Sequence, residues 1–291
     1  MKKFSKQPII IIIFVFLGLY AVSLIFPMLW AVISSFKGRF DLLGNPFGMP
    51  KTWVYRNFKT AAEGIAMDVP YGASVRTVGI AGQMLNSVIY SAGSAFVNCF
   101  VLCLVAYLVA KYDFGFSKFV YGIVVVTMMI PIIGSLPSEM QIMTALRLKD
   151  SFFGVFVLRA GFTGMYFLIF YAQFKSVSDG YAQAASIDGA SHTRIMFEII
   201  FPLVRGTFGV VFLVLLVNFW NDYQTPMLYL TSNPTVSYGL YMLHAQPRDN
   251  SAGALPVKLA ACILSCLPPI IIFIIFRNKM MGNFSAGGLK G

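Results

Sequence analysis

The chain has 291 residues, 58% of them hydrophobic and only 11% charged, with 22 Lys and Arg against 11 Asp and Glu for a formal charge of +11. A soluble domain carries about a quarter charged residues, so the composition excludes a soluble globular protein and specifies an integral membrane one. The basic balance does not mark nucleic-acid binding, because the charges lie in loops beside apolar stretches, with no basic helix or aromatic–basic platform.

A hydrocarbon core about 30 Å thick takes roughly 20 apolar residues per helix. Six stretches meet or approach that length: 9–36, 85–110, 119–136, 152–174, 207–230 and 257–276. They predict an all-α membrane protein of six spans, a single transmembrane domain over 1–291 with a polar loop at 175–206 and a tail at 277–291. The first stretch follows Lys2, Lys3 and Lys6. It is too long for the apolar region of a signal peptide, so it reads as a retained anchor. Segment 37–84 holds six basic residues, and its Met49–Phe58 portion suits a headgroup-level position. Those basic residues fit either an acidic glycan or an acidic partner protein.

The second stretch opens with Asn86-Ser87 and carries Ser87, Ser91 and Ala95 at i, i+4, i+8, continued by Asn98. Such a stripe of small residues either lets a helix approach closely or lines a pathway. Pro131, Gly134 and Pro137 predict a kink in the third. The fourth reads as one helix containing Arg159, with its charge snorkelling outward. The fifth ends in Asn218-Phe219-Trp220-Asn221-Asp222-Tyr223, roughly 22 Å above Thr207 at 1.5 Å per residue. A polar group at that depth needs either a water-filled pathway or hydrogen-bonding partners. Asn86, Asn218, Trp220, Asn221, Asp222 and Tyr223 are therefore candidate pathway residues, with a structural knot as the alternative.

Between the fourth and fifth stretches lies the polar segment Tyr181–Pro202. Small residues come first, then Asp188-Gly189, a turn signal that ends a helix. A second helical run follows, its apolar face formed by Ile195, Met196, Ile199 and Ile200. Pro202 either ends this run or starts the next helix. The prediction is two short helices joined at a glycine turn and lying across a membrane surface, a shape suited to another protein's groove.

The segment resembles the cytoplasmic loop of permease subunits of bacterial ATP-binding-cassette importers. That family pattern runs Glu-Ala-Ala, three residues, Gly and, further on, an apolar residue followed by Pro. Here it reads Gln183-Ala184-Ala185, Gly189 and Phe201-Pro202, with Gln183 in place of the Glu and Gly206 in place of a further proline. Ala106-Tyr107, Met128-Met129-Ile130-Pro131, Asn57-Phe58 and Trp220-Asn221-Asp222 are similar to other family signatures. The tail Asn283–Gly291 resembles the glycine-rich end of carbohydrate-uptake permeases of the maltose type.

This resemblance implies a type I importer permease fold with a cytoplasmic coupling helix. It also implies an ATPase dimer docked on Gln183, Ala184, Ala185, Asp188, Gly189, Ala190, Met196, Phe197 and Pro202, touched as well by Gly287, Gly288 and Lys290 of the tail. The implied partners are that ATPase dimer, a second homologous permease forming a heterodimer and an extracytoplasmic sugar-binding protein. ATP and Mg belong to the ATPase, and the implied cargo is a sugar moved by alternating access.

No Walker-type G-x-x-x-x-G-K-[ST], H-E-x-x-H or G-x-S-x-G occurs. His192 and His244 stand apart, and the Cys99/Cys103 and Cys262/Cys266 pairs suit apolar helix packing. The expectation is a transporter subunit with no catalytic residues, metal or cofactor of its own. Lys and Arg divide almost evenly between the two sides, eleven to ten, so the three N-terminal lysines decide for cytoplasmic termini in a bacterial inner membrane. An alternative is an ion-coupled secondary carrier with Asp222 as the coupling carboxylate. It calls for internal repeats and paired intramembrane charges, and the sequence displays neither. A structural or signalling membrane subunit is a third possibility, and it leaves the Asp-Gly loop unexplained.

Overall fold

The computed structural model describes residues 8–72, 74–112, 114–130, 134–247 and 251–284. In chain order the elements are α1 (Pro8–Ser35), α2 (Arg39–Gly44), α3 (Arg56–Ile65), β1 (Met67–Tyr71), β2 (Ser74–Val78), α4 (Ile80–Lys111), α5 (Ser117–Met129), α6 (Leu136–Ala145), α7 (Phe152–Leu158), α8 (Met165–Ser176) and α9 (Gly180–Ile187). Then come α10 (His192–Arg194), a π-helical stretch Ile195–Ile200, α11 (Phe201–Asn221), α12 (Gln224–Tyr229), α13 (Val236–Ala245) and α14 (Leu255–Phe284).

Among the described residues, four helices are long and apolar enough to cross a bilayer: Ile10–Ser35, Ile80–Lys111, His192–Asn221 and Leu255–Phe276. The other two apolar stretches differ from the reading above. The third forms the shorter α5, ending at Met129, and Pro131 with its expected kink lies outside the described residues. The fourth is not one helix but α7 and α8, separated by Arg159–Gly164. Segment 37–84 also contains a small antiparallel hairpin, where β1 pairs with β2 from Met67↔Val78 to Tyr71↔Ser74.

The chain divides into two compact units. One comprises Met1–Ala66 and Gly239–Leu267. At its centre the end of α1 is closed by Asn57, whose Nδ2 donates to the carbonyls of Ser35 at 2.7 Å and Lys37 at 2.8 Å. The last carbonyls of a helix have no intrahelical donor, so this amide serves as a C-terminal cap delivered from 20 residues downstream. Lys37 is fully buried and donates to the carbonyls of Asn45 and Pro46 at 2.7 and 3.1 Å. Trp30 Nε1 also donates to Pro46 O, at 2.8 Å. The Phe36 ring packs against Trp53, Tyr55 and Phe58 with centroids 4.9–5.6 Å apart. The segment after α1 is thus bound to the helix end by hydrogen bonds and ring contacts together.

The second unit, Met67–Tyr238 and Pro268–Gly291, contains the candidate site. Here α4 packs along both α8 and α11. The small-residue stripe is buried: Ser87, Ser91, Ser94 and Ala95 are all withdrawn from solvent, and Ser87 Oγ accepts from Val236 N at the start of α13 at 2.8 Å. Cys99 lies against the α11 backbone, its Sγ 3.7 Å from Phe208 O. Without bulky side chains the backbones approach closely and gain dispersion contact along their length.

Replacing Asn57 with Ala removes both donors and leaves two helix-end carbonyls unmet. Each costs about 1–3 kcal/mol where water cannot reach it. Thermal unfolding of the detergent-solubilised Asn57→Ala chain is expected at a clearly lower temperature than the parent, whereas Asn57→Gln recovers part of the loss.

Candidate functional site

The polar segment after α8 folds as a foot. Ser178–Asp179 leads into α9, and Lys111 at the end of α4 holds that lead-in, its Nζ donating to Val177 O at 2.5 Å and to Asp179 Oδ1 at 2.6 Å. The Lys111 side chain is nearly buried and that of Asp179 largely exposed. The ammonium donating to Asp179 holds its carboxyl below the usual carboxylate range. A depressed carboxylate contributes above its ordinary range, and the contribution disappears as pH falls through the lowered value. The clip is therefore constant around neutrality.

The end of α9 is a Schellman turn. Gly189 N donates to Ser186 O at 3.1 Å and Ala190 N to Ala185 O at 2.9 Å, with Gly189 at φ +82°. That left-handed conformation explains the glycine, because it costs other residues about 1–2 kcal/mol. Ser191 then caps the next helix, its Oγ accepting from Arg194 N at 3.4 Å. Here the structure corrects the two-short-helices expectation. The second run does not end, and α10, the π-helical stretch and α11 join as one 30-residue helix, His192–Asn221. Pro202 lies inside it. A proline cannot donate to the carbonyl four residues back and its ring crowds that carbonyl. The preceding turn opens instead, with Phe201 N donating to Met196 O.

Burial sorts the expected docking residues. Ile195, Met196 and Ile200 turn into the core with Tyr107, Phe170 and Phe174, and Ala185 joins them. Met196 is thus packed inside the chain rather than offered as an anchor. Gln183, Ala184, Asp188, Gly189 and Pro202 are exposed, Ala190 is half-buried, and Phe197 presents its ring outward. Ile187 was not singled out in the sequence, yet it is 86% exposed on the polar foot. Its signal was a lone large aliphatic residue directly before Asp188-Gly189. Tyr181 is also exposed, and Arg194 pairs with Glu198 at 2.8 Å on the same helix. Gly287, Gly288 and Lys290 lie outside the described residues.

At the far end of the long helix is a polar knot. Asp222 Oδ2 accepts from Tyr90 Oη at 2.6 Å and from Arg159 Nη2 at 2.7 Å, while Oδ1 accepts from Thr225 N at 3.1 Å. Arg159 Nη2 also donates to Thr225 Oγ1, and the guanidinium lies 5.2 Å from the Phe219 ring centroid. Arg159 therefore does not snorkel. It ends α7 and turns toward Asp222, and this is why the fourth apolar run is broken. Asn98 Nδ2 supports the break by donating to Arg159 O at 2.8 Å and Gly161 O at 3.2 Å. The charge pair missed in the sequence is Arg159–Asp222, joined across 63 residues.

The remaining candidates divide between this knot and the outer faces of the helices. Trp220 is buried and its carbonyl accepts from Ser237 Oγ. Asn86 Nδ2 donates to Pro234 O at 3.0 Å. Asn218, Asn221 and Tyr223 are exposed, with Asn221 donating to Val217 O of its own helix at 3.0 Å. Asp222 and Trp220 serve pairing and packing, whereas Asn218, Asn221 and Tyr223 lie on exposed faces.

Comparison with known proteins follows this geometry. A family model described as binding-protein-dependent transport system inner membrane component matches residues 102–280. A diacetylchitobiose uptake system permease protein from Streptomyces coelicolor is 26% identical over 94% of this chain and 86% of its own length. An arabinooligosaccharides transport system permease protein from Bacillus subtilis is 23% identical over 92% and 91%. Among solved structures, a chain of a bacterial ABC transporter involved in import of the acidic polysaccharide alginate superposes with a TM-score of 0.77, at 18% identity, covering 96% of this chain and 98% of that one. The fold is therefore that of an importer permease.

Removing one partner of a fully buried ion pair costs about 3–5 kcal/mol, because the other charge is left unmet. Arg159 and Asp222 are 30% and 19% exposed, so the lower part of that range applies. Asp222→Ala is expected to lower the unfolding temperature strongly. Arg159→Met combined with Asp222→Leu recovers most of the loss, measured as a double-mutant cycle in detergent.

Proposed function

The chain belongs to the family of inner-membrane components of binding-protein-dependent transport systems, and from that premise we propose that it is the permease subunit of an ATP-binding-cassette importer for a sugar or oligosaccharide. Support for the substrate class comes from relatives across nearly the whole chain whose names specify diacetylchitobiose and arabinooligosaccharides. The chain works as a multi-pass subunit with both termini in the cytoplasm. It pairs with a second permease and receives cargo from an extracytoplasmic binding protein.

The observation that carries the reading is the foot. It presents exposed Tyr181 and Ile187 on α9 and Phe197 on the helix that follows, side chains the core of the chain leaves uncovered, and a helix seated in a groove is read through a few apolar anchors of this kind. In this reading a separate ATPase pair supplies ATP and Mg, and its closure displaces α9. The displacement enters the 30-residue helix His192–Asn221 through the Schellman turn and arrives at the Asp222 knot. An unbroken helix transmits it without an intervening flexible joint. Reversing access from 1:99 to 99:1 takes about 5.5 kcal/mol of differential binding, which nucleotide binding and hydrolysis in the partner provide. The alternating-access cycle is thus driven from outside this chain, with the cargo passing along faces that include Asn218, Asn221 and Tyr223.

Gly189→Arg is expected to insert in the membrane at parental levels, yet lose co-purification with the ATPase and uptake of labelled oligosaccharide. Ile187→Asp should weaken both at least tenfold, since one buried aliphatic anchor contributes about 1.5–3 kcal/mol. Parental uptake by both variants would sink the docking role.

A further inference from the structure

A cavity of about 420 Å³ opens beside the foot, lined by Lys111, Lys118, Lys175, Tyr121, Tyr171 and Asp179, among others. Two of its lining residues, Lys111 and Asp179, form the clip of the transport reading, which leaves the cavity itself unassigned. Its charges are unequal in availability. Lys111 is engaged by Asp179 and the Val177 carbonyl, whereas Lys118 and Lys175 are exposed and form no close ion pair among the described residues, Lys175 acting on Asp179 only at longer range. Lys175 Nζ lies 5.9 Å from the Tyr171 ring centroid, and that ring packs against Tyr121 at 4.8 Å. The first turn of α5 contributes Ser117 and Lys118, so the positive end of a helix dipole adds to the two ammonium groups.

The surroundings select among anions. Phe116 and Phe119 flank the lining residues, are 58% and 55% exposed, and pack together with centroids 4.6 Å apart. An apolar ledge next to a basic, tyrosine-lined pocket at the ends of apolar helices matches an amphiphile, with its head on the lysines and its chains on the rings. Basic pockets between membrane helices take anionic headgroups for this reason, and aromatic side chains favour the same depth. A soluble phosphate has no use for the two phenylalanines. We propose that the pocket binds the phosphate headgroup of an anionic phospholipid, with Lys118 and Lys175 as its cations and Phe116 and Phe119 against its acyl chains.

Native mass spectrometry of the full chain in neutral detergent tests this, with phosphatidylglycerol, phosphatidylcholine and inorganic phosphate as probes. The parent is expected to retain one phosphatidylglycerol in preference to phosphatidylcholine. Lys118→Gln with Lys175→Gln should weaken that retention about thirty-fold, from the usual contribution of a lysine near an anionic surface. The matched arginine pair should preserve it. Phe116→Ser with Phe119→Ser should weaken the lipid while leaving any phosphate binding unchanged. Because the two lysines are exposed, unfolding temperatures should match the parent and show that the loss is local. Equal retention of phosphatidylglycerol by the glutamine pair, equal retention of phosphatidylcholine by the parent, or displacement of the lipid by millimolar inorganic phosphate would each overturn the assignment. The site stands apart from ATPase docking, so Gly189→Arg should bind the lipid as the parent does, and failure of one idea leaves the other intact.

Discussion

A carboxylate at the end of a long apolar helix sets the strongest constraint in this molecule. Asp222 follows the last residue of α11, where an unmet charge is costly. Three donors answer it: the Tyr90 hydroxyl, the Arg159 guanidinium and the Thr225 amide. Bringing Arg159 there requires the fourth apolar run to stop at Leu158. The carbonyls freed by that stop are then taken up by Asn98. One charge thus fixes the end of α7, the course of residues 159–164 and the position of α11 against α4.

The same logic, on a smaller scale, governs the other end of the long helix. Lys111 is nearly withdrawn from solvent and needs an acceptor, and Asp179 with the Val177 carbonyl provides two. The apolar face of Ile195, Met196 and Ile200 supplies the adhesion that two polar contacts cannot, seating the helix start on Tyr107 and Phe174. Pro202 does not interrupt this arrangement, because the turn before it widens into π geometry rather than breaking.

What was legible in the sequence is what local chemistry dictates. Asp188-Gly189 ended α9, since only glycine suits φ +82° there, and the i, i+1, i+4, i+5 spacing identified the buried face of the following run. The stripe of Ser87, Ser91 and Ala95 marked a close helix contact. What was not legible depends on partners distant in the chain. Arg159 looks like a snorkelling residue until Asp222, 63 positions away, is placed beside it, and the break between α7 and α8 follows from that pairing rather than from propensity. Asn57 carries no local sign that it caps a helix ending at Ser35. Ile187 escaped notice because apolar residues in a membrane protein are ordinary. Its exposure on a polar helix distinguishes it, and exposure is a property of the fold.

The two ends of the helix therefore differ in stiffness. An ion pair with a largely exposed carboxylate, such as Lys111–Asp179, is screened by solvent and opens at little cost. A shielded pair with additional hydrogen bonds is far costlier to open. When a load acts along His192–Asn221, the weaker attachment yields first, so the foot shifts while the Asp222 knot keeps its partners. Motion at that end of the helix is then a displacement of the whole knot, carrying Tyr90 on α4 and Arg159 with it, rather than a parting of its members. A chain built this way moves its helices as a bonded group at the Asp222 end and slips first at the Lys111–Asp179 contact.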